Sequence, residues 1–198
     1  MTAAVVPTHR GPGRPRSAEA DAAILEAAAE LFADQGFEGM SVDAVAQHAG
    51  VSKATIYRRY PGKVELCMAA SRHLCARQVP VVDTGTVRDD LREHARALAR
   101  LLRTTVVGRA VPQMVADAAR NPELADAYRK FTAERRATIA AAVGRGVERG
   151  ELPATADGDL AAEMLSGTVF YRHLIARGSL GPRFADAVAD AVIRSLER

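Results

Sequence analysis

Helical signals divide the chain into segments from one end to the other. Asn121-Pro122-Glu123 shows the clearest of them, a capping side chain followed by proline at the first helical position and then an acid. Between such signals the apolar residues recur at helical spacing, as Ile24, Leu25, Ala28, Leu31 and Phe32 do. A lone strand fits only the stretch VPVVDTG at 79–85. We therefore expect an all-α fold.

Composition and chain length are those of an ordinary soluble protein. The 198 residues are 48% hydrophobic and 26% charged, which suits one large or two small domains with a proper core. No run approaches the roughly 18 apolar residues of a membrane helix, and MTAAVVPTHR lacks the features of a secretory signal. Cys67 and Cys75 lie roughly 12 Å apart if one helix holds both, too far for a disulfide. These features predict a cytoplasmic protein.

Two short helices joined by a glycine turn form the pattern with the most functional content. Ser41 and Ser52 are suited to cap them, and AGV at 49–51 connects them. This is the sequence form of a helix-turn-helix motif. On a helical wheel Ile56 and Tyr60 of the second helix share the face that would pack on the other helices.

The second of these helices has the residues of a DNA-recognition helix. In this motif it enters the major groove, where Lys53 and Arg59 would donate to guanine and Ala54 would contact a thymine methyl group. Hydroxyl and ammonium groups at helix starts suit phosphate oxygens. The predicted DNA contacts are Ser41, Ser52, Lys53, Ala54, Thr55, Tyr57, Arg58, Arg59 and Lys63.

Charge is distributed unevenly over this region. Residues 17–35 hold five acids and no lysine or arginine, whereas residues 47–63 hold four basic residues and no acid. The net charge of +3 is too small to indicate nucleic-acid binding, but this separation favours it. The alternative is a solvated face of a helical bundle.

The segment SVDAVAQHAGVSKATIYRRYPGKVEL, preceded by ELFADQGFEGM, closely resembles the DNA-binding domain of the tetracycline-repressor (TetR) family. The likeness is strong over 17–67 and weak beyond, in NPELADAY, RGVERGELP and DLAAEMLSGTVFYRHLIARG. It implies phosphate contacts from the hydroxyl residues, Tyr57 and Lys63, with Lys53, Ala54, Tyr57, Arg58 and Arg59 facing the groove. Tyr60 departs from the more usual Phe or Trp, so its hydroxyl needs a partner.

An arm precedes the motif. Gly13-Arg14-Pro15-Arg16 looks like the core of an A·T-hook, in which Arg14 and Arg16 would enter a narrow minor groove. The alternative is a solubilising tail. We expect a flexible basic arm at 1–16, the DNA-binding domain at 17–63 and an effector-binding and dimerisation domain at 64–198.

The last two helices, expected at 157–177 and 182–196, bear small and apolar stripes. They suit a four-helix interface across a two-fold axis, which is the usual dimer contact in the family the chain resembles. Intramolecular core is the alternative for any of these residues. The predicted interface residues are Ala161, Leu165, Thr168, Val169, Val188, Ala191 and Val192.

The resemblance also implies that the middle helices enclose a pocket for a small-molecule effector. Each candidate residue has plain core as its alternative, and Arg172 and His173 would either bind an anionic group or lie on the surface. The candidates are Leu101, Leu102, Met114, Phe131, Met164, Phe170 and Tyr171.

These features predict a ligand-responsive dimeric repressor, released from a palindromic double-stranded DNA operator by a small molecule. We expect no catalytic residues, metal or cofactor, and no membrane partner. GRGVERG at 144–150 superficially resembles a phosphate loop but falls inside a helix with no preceding strand. The alternatives are a DNA-binding protein without an effector pocket and a helical enzyme.

Overall fold

A computed structural model of the protein describes the backbone of residues 15–197 and the side chains from Ala18 onwards. This part of the chain forms nine helices and no strand, so the expected all-α fold is confirmed. The helices are α1 (Pro15–Gly39), α2 (Val42–His48), α3 (Lys53–Tyr57), α4 (Lys63–Gln78), α5 (Val87–Thr104), α6 (Val106–Ala118), α7 (Pro122–Glu148), α8 (Gly158–Leu174) and α9 (Pro182–Leu196).

Helix α1 begins at Pro15. Proline suits the first helical position because its missing N–H would have no intrahelical partner there. The predicted minor-groove residue Arg14 lies outside the described residues, as does the side chain of Arg16.

The three N-terminal helices pack around a small apolar core. Ile24 of α1, Val45 of α2 and Ile56 of α3 are almost completely buried. Ser41 and Ser52 cap α2 and α3 as predicted, since the Ser41 side chain accepts from Ala44 N and the Ser52 side chain from Thr55 N. The helix-turn-helix geometry therefore follows from local capping together with this shared core.

Gly36 interrupts α1 with a φ of 71° and a ψ of −179°, a conformation that L side chains rarely adopt. Beyond it the side chain of Phe37 is buried in the core. The backbone N–H of Phe37 donates to Oδ2 of Asp117 at 2.7 Å. Asp117 is a buried residue of α6, and its other oxygen accepts from Arg120 at 2.9 Å. This turn therefore joins the N-terminal helices to the C-terminal part.

Helix α6 contains Pro112 in its interior. Proline has no N–H to donate to the carbonyl group of Gly108, four residues earlier. His173 of α8 replaces the missing donor, because its Nε2 donates to Gly108 O at 2.8 Å. A Cβ at Gly108 would lie 1.8 Å from Leu102 O, so only glycine fits this approach of α6 to α5.

Helices α5 and α9 are joined by a row of ion pairs at helical spacing. Arg92 pairs with Asp190 through two hydrogen bonds of 2.9 and 3.0 Å, and Arg96 pairs with Asp186 in the same two-point manner. Arg88 adds a contact to Asp190 at 3.3 Å. Planar guanidinium groups match carboxylates in this geometry, so the row sets the register of α9 on α5.

We predict that Gly36→Ala lowers the free energy of unfolding by roughly 1–3 kcal/mol, because alanine is strained at this backbone conformation. Its Cβ would also lie 3.1 Å from Asp117 Oδ2. Urea denaturation of the purified protein measures the change.

The control is Gly144→Ala in the interior of α7, where an added Cβ meets no atom within 4 Å. There alanine should stabilise by about 0.5–1 kcal/mol. Equal effects of the two substitutions would contradict this account of the Gly36 turn.

Candidate functional site

The exposed face of α3 presents the predicted DNA contacts together. Lys53, Ala54, Tyr57 and Arg58 are all exposed, and the ring of Tyr57 is 46% accessible although it is a large apolar group. The Ser52 and Thr55 hydroxyls lie 2.9 Å apart at the start of the helix. This surface, Ser52–Arg58 without the buried Ile56, is called the α3 face below.

Lys53 is held in place before any partner binds. Its Nζ donates to Asp43 Oδ2 at 2.8 Å and lies 5.8 Å from the centre of the Tyr57 ring. The hydrogen bond to Asp43 raises the pKa of Lys53 above its usual value, so the ammonium is charged. Because the pair is solvent-exposed, it is weak enough for a phosphate or base to displace Asp43.

Lys63, at the start of α4, is also a predicted DNA contact, but its ammonium group already has partners within the chain. Its Nζ donates to Met40 O at 3.2 Å and lies 4.4 Å from the centre of the Phe37 ring. Ser41 is exposed at the start of α2, with its side chain accepting from Ala44 N at 3.1 Å. Ser41 is therefore open to solvent, whereas Lys63 is partly buried.

Arg59, predicted to be a groove-facing donor, lies outside the α3 face and is bound to α1 in this structure. Its Nη1 donates to Asp21 Oδ1 of α1 at 2.9 Å, and only 21% of its side chain is exposed. Tyr60 donates from its hydroxyl to the same oxygen at 2.8 Å, which is the partner the sequence required. Asp21 thus holds the end of the recognition helix on α1.

Burial and the hydrogen bond to Asp21 together raise the pKa of Tyr60 to about 12. The phenol is therefore a neutral donor at any physiological pH.

An apolar cavity of about 420 Å³ lies between α1 and α4–α8, a volume in the range of small-molecule sites. Five of the seven predicted pocket residues line it, namely Leu101, Leu102, Met114, Phe131 and Phe170. Helix α1 contributes Ala28, Ala29 and Phe32 to its wall, which the sequence analysis did not anticipate.

Met164 and Tyr171 are not part of this cavity, and their assignment to it is corrected. Both are exposed on α8, Tyr171 to 61%. The cavity-facing side of α8 is formed instead by Glu163, Ser166, Gly167 and Phe170. Arg172 stacks at 4.1 Å on the Phe184 ring and His173 holds Gly108, so neither lines the cavity.

Among the polar side chains of the cavity wall that the sequence analysis missed are His94, Tyr128 and Arg135. Burial, with a smaller effect of the Arg135 charge, lowers the pKa of His94 to about 4, so its imidazole is neutral. Burial also raises the pKa of Tyr128. The sequence did contain a signal that His94 faces inward. It follows Leu91 by three residues and precedes Leu98 by four, which places it on the apolar stripe of α5.

Five of the seven predicted dimer-interface residues are buried within the single chain, so their assignment is corrected to intramolecular core. They are Ala161, Leu165, Val169, Val188 and Val192. Only Thr168 and Ala191 are exposed. Helix α8 packs on α7, and α9 packs on α5. The apolar stripes that were predicted to contact a second subunit form these contacts within the chain.

A different stripe of α8 is apolar and exposed. Leu160, Met164, Tyr171 and Ile175 recur at helical spacing with accessible fractions of 52, 36, 61 and 69%. Exposed apolar side chains in one contiguous row are typical of a protein–protein interface. This row, together with the exposed Ala187 and Ala191 of α9, is called the α8–α9 face below.

Two family profiles match the chain. "Bacterial regulatory proteins, tetR family" matches residues 24–70, and "Tetracyclin repressor-like, C-terminal domain" matches residues 81–192. The crystal structure of the TetR family transcription regulator SCO0332 is similar with a TM-score of 0.74 at 30% identity, covering 89% of this chain and 97% of that one.

Curated relatives are similar over nearly their whole length. The HTH-type transcriptional regulator YdeS of Bacillus subtilis is 34% identical over 185 residues, 93% of this chain and 89% of that protein. The DNA-binding transcriptional repressor TetR of Mycobacteroides abscessus is 31% identical over 186 residues, 89% of this chain and 93% of that protein.

The chain therefore belongs to the TetR family of helix-turn-helix transcriptional regulators. This confirms the resemblance and the expectation of a regulator rather than an enzyme. Among residues 15–197 no helix is long and apolar enough to cross a membrane. Over the same residues no three His, Cys, Asp or Glu side chains are grouped so as to hold a metal ion.

We predict that His94 makes the protein less stable in mild acid. In the folded state the His94 imidazole stays neutral down to about pH 4, whereas in the unfolded chain it takes up a proton near pH 6.5. The contribution of His94 to the free energy of unfolding is thus complete above about pH 6.5 and lost as the pH falls toward about 4.

His94→Leu should therefore lose less stability than wild type over this interval in urea denaturation. Tyr128→Phe is the control, because it removes a polar group from the same wall without a proton uptake in acid. Identical pH profiles for wild type and His94→Leu would contradict the prediction.

Proposed function

We propose that the protein is a dimeric repressor that binds a palindromic DNA operator through the α3 face and leaves it when a small molecule occupies the cavity. The observation that carries the proposal is the α3 face itself, with Lys53, Tyr57 and Arg58 exposed together on one side of a capped helix. A recognition helix requires this combination of donors and an apolar ring at the protein surface. We also place the protein in the cytoplasm, where a bacterial operator is accessible.

Each predicted contact has a role in this proposal. Lys53, Ala54, Tyr57 and Arg58 face the major groove, while Ser41, Ser52, Thr55 and Lys63 bind phosphates. Arg59 positions α3 through Asp21 instead of donating to a base. Arg14 of the arm and Arg16, in the first turn of α1, bind the minor groove beside the half-site.

The α8–α9 face forms the dimer in this proposal. Two copies related by a two-fold axis would bury Leu160, Met164, Tyr171 and Ile175 in a four-helix contact. The two α3 faces then lie one DNA turn apart, about 34–36 Å, to meet successive major grooves.

Ligand release is supported by the helices that the cavity shares with the DNA-binding part. Helix α1 contributes Phe32 to the cavity and Asp21 to the support of α3. Helix α6 contributes Met114 to the cavity and Asp117 to the Gly36 turn. A ligand that prefers another arrangement of α1 and α6 shifts the population away from the DNA-binding spacing, by no more than its differential affinity.

Repression is the favoured direction because the relative from Mycobacteroides abscessus is named a DNA-binding transcriptional repressor. A DNA-binding protein without an effector is the second candidate. The cavity of about 420 Å³ argues against it.

Selection of random duplexes by the purified protein tests the proposal, with Tyr57→Ala selected in parallel. We expect wild type alone to recover a palindromic site. Recovery of no enriched sequence, with equal salt-sensitive binding by wild type and variant, would leave only a non-specific DNA-binding protein.

We predict that replacing Arg58 affects DNA binding alone, whereas replacing the neighbouring Arg59 affects both DNA binding and stability. Arg58→Ala should weaken binding to the selected duplex by roughly 1–3 kcal/mol without lowering stability, because its side chain is exposed. Arg59→Ala should weaken binding and also lower the free energy of unfolding by about 1 kcal/mol, because it breaks the pair with Asp21. Fluorescence anisotropy and urea denaturation measure the two effects, and equal stability of both variants would refute the positioning role of Arg59.

We predict that the double variant Tyr171→Glu, Ile175→Glu is a monomer in sedimentation velocity, because two carboxylates would be buried in the dimer contact. Val81→Glu is the control, since Val81 is 65% exposed but lies outside the α8–α9 face. A dimeric double variant would place the interface elsewhere.

A further inference from the structure

The cavity wall is mostly apolar, but it includes the polar side chains of His94, Tyr128, Arg135 and Cys75. Arg135 lies close enough to His94 and Cys75 that its positive charge lowers the pKa of each, against the larger effect of burial in Cys75. Cys75 in turn acts on Tyr128, and all four residues line the cavity. These residues, His94, Tyr128, Arg135 and Cys75, are called the polar end below.

Arg135 forms no ion pair with a carboxylate among the described residues, although its charge contributes to lowering the pKa of Glu134. Its Nη2 donates to the carbonyl oxygen of Val79 at 2.9 Å, its one hydrogen bond within residues 15–197. The adjacent arginine, Arg136, is paired with Glu163 at 3.1 Å. Glu134, next to Arg135 in sequence, is bound at two points by Arg72. The nearby carboxylates are therefore already used by other arginines.

His94 and Tyr128 lack partners as well. In the part of the chain that the structure describes, neither the imidazole nor the phenol hydroxyl forms a hydrogen bond. By contrast Ser71 and Thr132, which also line the cavity, donate to carbonyl groups of their own helices at 2.9 Å. His94 and Tyr128 are partly buried and line the cavity beside Arg135, so their polar atoms are free to bind a polar group of a ligand there.

Building on the proposed function of the cavity as an effector site, we infer that its ligand is an apolar organic acid whose carboxylate binds at the polar end. Arg135 and Tyr128 donate to the carboxylate oxygens, and the neutral imidazole of His94 supplies a further N–H. Leu98, Leu101 and Phe131 cover the apolar body of the ligand.

The charge of Arg135 favours a ligand with a single carboxylate over dianionic, cationic and neutral ligands. One guanidinium matches one negative charge, because a second charge would be buried without a counter-ion. A cationic ligand would bring a like charge beside Arg135. A neutral ligand of the same shape would leave Arg135 unbalanced and forgo the charge-assisted hydrogen bonds.

Isothermal titration calorimetry on the full chain at about pH 7.5 tests the inference, since carboxylic acids are ionised there. The probes are two matched pairs, decanoate with decanol and 2-naphthoate with 2-naphthol. We expect at least one acid to bind roughly 10- to 100-fold more tightly than its alcohol. Equal affinities within both pairs, or no binding of either acid, would overturn the inference.

Three variants locate the selectivity. Arg135→Gln should remove the preference for the acid while leaving the affinity for the alcohol unchanged. Tyr128→Phe keeps the shape of the wall and should reduce the preference without unfolding the protein. Arg129→Gln is the control, because it removes an exposed charge of the same helix that does not line the cavity, and it should leave the preference intact. Retention of the preference in Arg135→Gln, or its loss in Arg129→Gln, would refute the assignment.

Release of the selected duplex is a separate measurement. An acid that binds with the expected preference but leaves the duplex bound supports the ligand class and overturns the proposed release. Release by acid and alcohol with equal potency overturns the ligand class and leaves the proposed repressor standing.

Discussion

The buried hydrogen bond from Phe37 N to Asp117 joins the two halves of the molecule, and much of the arrangement depends on it. Gly36 adopts a backbone conformation that directs the Phe37 N–H at a carboxylate of α6. An unpaired buried N–H or carboxylate would be costly, so each group requires the other. The bond fixes the end of α1 against α6, and the N-terminal helices take their position from it.

Helix α1 is consequently shared between the DNA-binding part and the cavity. Near its start Asp21 holds Arg59 and Tyr60 of the recognition region. Phe32, three turns further on, lies in the cavity wall. A domain boundary at residue 63 therefore divides the wall of the cavity between the two domains. Helix α1 precedes this boundary in the sequence, and α4–α8 follow it. This sharing is the physical basis for coupling ligand to DNA in the proposed function.

Arginine takes several roles in this chain according to the nearest carboxylate. Arg58 has an exposed side chain on the α3 face, Arg59 is bound to Asp21, and Arg92 sets the register of α9 through Asp190. Arg135 differs from these because the acids near it are already paired. In the sequence all four are basic residues of helical segments, and nothing local distinguishes them.

Local signals determined the all-α class, the capped helix-turn-helix and its exposed recognition residues, because caps, glycine turns and apolar periodicity act within a few residues of the chain. Five of the pocket residues that the family resemblance implied line the cavity. Tertiary structure alone decided the role of Arg59, whose partner is 38 residues away, and that of Asp117, 80 residues from Phe37. It also decided which stripe of α8 stays exposed and that His94, Tyr128 and Arg135 share one cavity, because a helical pattern shows that a side chain lies on a face but not which distant helix covers that face.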